Sequence, residues 1–167
     1  FDVSYSAVPE FDGAVGGVLC IVSETTQRVQ FQRRQAFLLE LGKSLPGIDE
    51  PEDIERHVTR RLGEELDASR VCFAEAQARG RDEHFYIARD WVNGAPSLAG
   101  SLLAPDEAAF GGFVVPIARG QEPEVRLCVQ FAGPRVLAED ECRLITQTAT
   151  QTWDWITHAR AETVSYT

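Results

Sequence analysis

Four cysteines (Cys20, Cys72, Cys128 and Cys142) and three histidines (His57, His84 and His158) are the side chains best suited to nucleophilic or metal chemistry in this sequence. A structural zinc or a redox dithiol needs such residues at short spacings, and no C-x-x-C pair occurs. The histidines are too far apart in sequence to argue a metal triad. Three of the cysteines sit inside apolar runs, which fits buried thiols in a reducing cytoplasm. There is no G-x-S-x-G nucleophile elbow, and "GAVGGV" lacks the G-x-x-x-x-G-K phosphate loop. His57 lies among arginines and reads as a solvated helix residue. No catalytic residue, metal ligand or cofactor is assigned on these grounds.

The stretch "HFYIARDW", residues 84–91, is richer. Strand alternation places Phe85, Ile87, Arg89 and Trp91 on one face and His84, Tyr86, Ala88 and Asp90 on the other. Arg89 and Tyr86 could meet a ligand beside a Trp91 wall. Equally, Arg89 could pair with a carboxylate while Trp91 fills the core.

The elements that must position these residues follow from periodicity. "FDVSYSAVPE" alternates like a strand, "FDG" is a turn signal, and "AVGGVLCIVSE" is a second strand, so residues 1–24 form a hairpin. Residues 25–45 switch to helical spacing, with Phe31, Phe37, Leu38, Leu41 and Leu45 on one broad stripe and Thr25 or Thr26 as the cap. Pro51 and its acidic neighbours open a second helix with Ile54, Val58, Leu62 and Leu66 at i, i+4 spacing, and Gly63 as a weak point. "SRVCFAEAQ" and "DEHFYIARDW" are strands around an "ARGR" turn. "VNGAPSLAGSLLAPDEAAFGG" is a loop with a short helical turn near "PDEAAF". "FVVPIARG" and "EVRLCVQFAG" are strands around "GQEP". The final helix, residues 138–162, carries Glu139, Asp140 and Glu141 in its first turn and His158 and Arg160 in its last, as the helix dipole favours. The fold class expected is α+β: an antiparallel sheet with the N- and C-terminal helices packed on one face.

The 167 residues carry a net charge of −10. The only basic clusters, Arg33-Arg34 and Arg56/Arg60/Arg61, are too few and too compensated for a nucleic-acid surface. No apolar run approaches the roughly 20 residues that span a bilayer, so no membrane contact is expected. A chain that begins at Phe1 and lacks Met altogether reads as a piece of a longer protein.

Two resemblances sharpen this picture. Asp12-Gly13, Val15-Gly17-Leu19-Cys20-Ile21 and Glu24-Thr25-Thr26 resemble the C-terminal end of a PAS domain, up to its exit into a connecting helix. Residues 34–162 resemble a GAF domain of bacterial sensor histidine kinases, through "LLELGKSL", "IERHVTRRLGEELDASRVCFAEA", "FYIARDWVNGAPSLAG", "GGFVVPIARG" and "EDECRLITQTATQTWDWITHARAE". The resemblance implies residues 1–26 as a PAS hairpin, 27–45 as a signalling helix, 34–162 as a compact GAF-like domain and 163–167 as a tail. It implies a sheet with one face toward the helices and one toward a pocket. Tyr86, Arg89, Trp91 and Phe113 are then the candidate ligand-binding residues. Only "SLLAPDEAAFG" stands where relatives have a long pocket lid, so the expected pocket is shallow. Some GAF domains hold a bilin through a Cys followed by His; no such pair exists here, and no cofactor is expected.

The implied role is a non-catalytic sensory, regulatory and dimerisation module of a cytoplasmic two-component sensor histidine kinase. The alternatives are a module of a diguanylate cyclase or phosphodiesterase, or a free-standing small-molecule-binding domain. Phe31, Leu38 and Leu45 recur every seven residues, a coiled-coil spacing. On the last helix Cys142, Ile145, Ala149, Trp153 and Ile156 form one stripe, while Trp155 lies on another beside Leu144 and Ala159. A parallel homodimer through Phe31, Leu38, Leu45 and Trp155 is expected. The hairpin, as a fragment of a sheet, is expected to pair or pack elsewhere, since two strands alone are marginal in water.

Overall fold

The computed structural model describes residues 2–9, 13–23, 26–79, 82–105, 112–117 and 124–165. The "PDEAAF" turn after Pro105, the "GQEP" turn, Arg81 of "ARGR", Asp12 and the Glu24-Thr25 exit pair lie outside them. The chain divides into two compact units, Phe1–Phe37 and Leu38–Thr167.

In the first unit, β1 (Asp2–Pro9) and β2 (Val15–Ser23) form an antiparallel hairpin. Gly13, at φ 83°, takes a backbone conformation open to glycine, as the turn signal requires. Tyr5 and Ala7 share a face with Cys20 and Val18, and Ser6 and Val8 share the other with Leu19 and Gly17. The described side chains of both faces are exposed. Helix α1 (Thr26–Ser44) begins in this unit and ends in the next.

In the second unit, α2 (Pro51–Leu66) follows α1. Six strands come next: β3 (Arg70–Arg79), β4 (Asp82–Ile87), β5 (Asp90–Val92), β6 (Ser101–Leu103), β7 (Phe113–Ile117) and β8 (Val125–Gln130). Helix α3 (Glu139–Ser165) completes it. The sheet is antiparallel throughout, in the order β6-β4-β3-β8-β7, with β5 also on β3. The α+β class is as the periodicity indicates.

The helical layer is built from α2 and α3. Pro51 opens α2 with Glu52 and Asp53 in the first turn, where the dipole favours them. Ile54, Val58, Leu62 and Leu66 are all buried, each contributing about 2 kcal/mol. At its end Asp67 adopts the left-handed conformation at φ 51°, and Arg135 donates to the Leu66 carbonyl that the helix leaves open. On α3, Leu144, Ile145, Ala149, Trp153, Ile156 and Ala159 are buried.

Three expectations are corrected. α3 continues to Ser165, so His158 and Arg160 are not in its last turn. They pair with Glu162 and Glu75 instead. Ser101–Leu103, read as loop, forms β6 against β4; three residues are too few to display an alternation. Leu45 lies beyond α1 and is wholly buried, so it cannot face a second chain. Phe31 is exposed, and Leu38 and Trp155 are half-buried.

Candidate functional site

Cross-strand register sorts the central side chains into two faces. Val71, Phe73 and Glu75 of β3 share one with Leu127 and Val129 of β8. This is the helical face: Phe73 stacks on Trp153 of α3 at 5.4 Å between centroids, and Glu75 binds Arg160. Cys72, Ala74 and Ala76 share the other with Phe85 of β4, Cys128 of β8 and Val114 of β7. On this second face Cys72, Ala74, Phe85, Ile87 and Cys128 form a buried cluster, covered in part by Leu98 and Leu103. It is the candidate site, being the sheet face opposite the helices.

Its chemistry is apolar. The Cys72 thiol is pushed well above the ordinary range by its hydrogen bond with Cys128 and then by burial. A thiol so held is a poor nucleophile. At the rim Arg126 lies over the Phe85 ring, 3.9 Å from its centroid, and donates to Glu124 and to the Pro105 carbonyl. At the other end a buried ion pair ties the covering segment to the sheet. Asp90 accepts from Ser97 Oγ at 2.6 Å and from the Leu98 N–H at 2.7 Å, and faces Arg70 at 3.4 Å. Arg70 in turn donates to Gln130 and to the Pro96 carbonyl. With both ions buried and each bonded to the segment or the sheet, the pair fixes geometry more than it adds stability.

The four expected ligand residues do not line this face. Tyr86 pairs across from Glu75, Trp91 from Val71 and Phe113 from Val129, all on the helical side. Arg89 donates from Nη1 to Glu55 Oε2 of α2 at 2.7 Å. The Trp91 ring seats on α2 at Gly63, where a Cβ would stand 2.3 Å from ring carbons. The expected alternation, which groups Arg89 and Trp91 with Phe85 and Ile87, fails for a countable reason. Between the pairs Tyr86↔Glu75 and Asp90↔Cys72, β3 supplies two residues, Phe73 and Ala74, while the other strand supplies three, Ile87, Ala88 and Arg89. One extra residue is a β-bulge, and it turns every following side chain over.

Phe113 does line a depression, but a different one. It is about 260 Å³ and lies near the start of α3, with Phe131, Arg135 and Cys142. Burial, then the neighbouring Glu141 carboxylate, pushes the Cys142 thiol up, so it too is a poor nucleophile. Gly112 is required there, since a Cβ would stand 2.2 Å from the Val129 carbonyl oxygen. A wider open hollow of about 520 Å³ lies against the first turns of α2 and the loop before it, beside Asp49, Asp53 and His57. His57 is half-buried and shares a 2.8 Å bond with Ser44 Oγ. Burial, then Arg61 and Arg60, depresses its pKa.

Glu55 is the residue that motif reading passes over. It is 2% exposed, and burial raises its pKa against the opposing pull of Arg89. Its signal is present in the sequence: it falls on the same buried α2 stripe as Ile54, Val58 and Thr59, where a carboxylate needs a partner. Arg160 extends the network, donating twice to Glu75 at 3.2 and 2.6 Å and lying 5.0 Å from the Trp153 ring centroid. Among the described residues, no group of three or more His, Cys, Asp or Glu is placed to hold a metal, and no helix is long and apolar enough to cross a membrane.

Neither a protein-family model nor a curated protein matches the chain. Solved structures do. A far-red cyanobacteriochrome photoreceptor is 14% identical, with a TM-score of 0.50 over 78% of this chain and 98% of its own. The blue-light absorbing form of the Thermosynechococcus elongatus PixJ GAF domain is 13% identical, with a TM-score of 0.45 over 87% of this chain and 96% of its own. At such identity the likeness concerns the fold alone: the chain has the α+β architecture of a GAF-like domain, preceded by a β-hairpin.

Proposed function

We propose that the chain is a non-catalytic sensory or regulatory module of a cytoplasmic sensor histidine kinase, with a homodimeric arrangement through its terminal helices. The observation in its favour is the architecture shared with a photoreceptor over 98% of that protein's length. A second structural feature supports it. At 27 residues, α3 is about 40 Å long, enough to carry a displacement out of the domain. In this reading the hairpin is the end of a preceding PAS domain, and the fold is kept while the face that could hold a ligand is packed with the chain's own apolar groups.

The test is made in the parent protein. A phosphoacceptor helix and an ATP-binding domain are expected downstream, with autophosphorylation changing about fivefold or more when residues 38–165 are removed. A parent without a kinase domain, or a kinase indifferent to the deletion, defeats the proposal. The purified chain is expected to be colourless, because Cys72 and Cys128 are core thiols. A visible absorption band, checked by spectrophotometry, would contradict that.

A further inference from the structure

Arg89, Asp90 and Trp91 are consecutive, yet they hold opposite layers of the molecule. Asp90 holds the covering segment through Ser97 Oγ and the Leu98 amide. Arg89, one peptide bond away, holds α2 through Glu55, and Trp91 seats on Gly63 of the same helix. Arg89 ends the bulge, where the ladder is interrupted between Ile87 and Asp90, and Asp90 and Trp91 follow it. Beyond it β5 is pinned to β3 by only three register pairs. A bulge bends the strand locally, so this short strand is set off from β4 and carries its own contacts to both layers.

The geometry points to residues 89–91 as a two-sided coupling element: displacing the covering segment around Pro96–Leu98 re-poses α2, and displacing α2 loosens that segment. The physical reason is the lack of slack. If Asp90 follows Ser97 and Leu98 outward, the connected backbone draws Arg89 and Trp91 with it. Glu55 is buried and cannot be left charged without its guanidinium, so α2 must follow or the pair must break. The coupling concerns this domain's own layers and holds whether or not the parent chain is a kinase.

Amide hydrogen exchange on the whole chain tests it, with one variant on each side. Ser97→Ala removes an exposed hydroxyl from the Asp90 contact, and Glu55→Gln keeps the shape of the buried side chain while weakening its hold on Arg89. Ser97→Ala is expected to speed exchange about fivefold at Leu98 and nearby amides, and also along Arg56–Leu62. Glu55→Gln is expected to do the same in reverse, because coupling between two positions is reciprocal. The α3 amides of Ile145–Ile156 should change less than about twofold, since the lesion is local. Acceleration confined to the substituted side overturns the proposal, and so does equal acceleration in every protected segment. The double variant supplies an independent check: its effects at Leu98 should fall clearly short of, or exceed, the product of the two single effects. A simple product is what uncoupled sites give and is sufficient to reject the idea.

Discussion

Arg89 and Glu55 set the most consequential single contact. Burial raises the Glu55 pKa above 4.5, with Arg89 opposing. For an acid whose folded pKa is raised, the stabilising contribution is present below 4.5 and is lost as pH rises through the raised value. At neutral pH the charged carboxylate is therefore tolerated chiefly because Arg89 answers it, with a smaller contribution from Arg160. Arg89→Ala should cost about 3 kcal/mol at pH 7.5, the range for stranding one partner of a buried pair. The cost should shrink toward pH 5 as Glu55 takes up a proton. Urea unfolding at the two pH values checks this, and an equal penalty at both would contradict it. The sequence displays Arg89 as a residue of interest but not its partner. Glu55 is 34 positions away, and only its place on the buried α2 stripe betrays it.

Among the elements, those with a long internal period were readable. Ile54, Val58, Leu62 and Leu66 mark α2 without help from the rest of the chain, and the same is true of the buried stripe of α3. What escaped depends on a partner strand. The bulge is a difference in count between β3 and its neighbour, and alternation along one strand holds no record of the other. Gly63 looks like a flaw in α2 for the same reason, since the ring that requires it comes from β5. On an open helix Gly→Ala gains about 1 kcal/mol. Here Gly63→Ala should instead lose about 1–2 kcal/mol, because the new methyl must displace the Trp91 ring. In a Trp91→Leu background the same substitution should be neutral or stabilising. Thermal denaturation of the two single variants and the double variant measures this; a stabilised Gly63→Ala in the native background would refute the packing account.

For the whole molecule, the open matter is which surfaces meet another copy. Leu45 is taken up by its own core, so of the four residues expected at the interface Phe31, 51% exposed, and half-buried Leu38 and Trp155 remain accessible. A homodimer through them predicts that sedimentation equilibrium finds the wild type dimeric, and that Phe31→Glu with Trp155→Glu weakens association by about tenfold or more, as expected when central apolar anchors are replaced by charge. A wild type that remains monomeric at its solubility limit, or a folded variant that associates as well, rules the interface out. The bulge has a last consequence, in chain length. Dropping Ala88 leaves Ile87 and Arg89 opposite Ala74 and Phe73, two facing two, with every later side chain still on its present face. A one-residue deletion inside a sheet, normally among the most damaging of edits, should here yield a folded protein in which β4 runs straight into β5. Dropping Ile87 instead slides Ala88 into its place on the apolar face and should cost about 2–5 kcal/mol, as an Ile→Ala truncation does. Two adjacent codons are thus expected to differ sharply in what their loss does, and urea midpoints of the two deletions would show it.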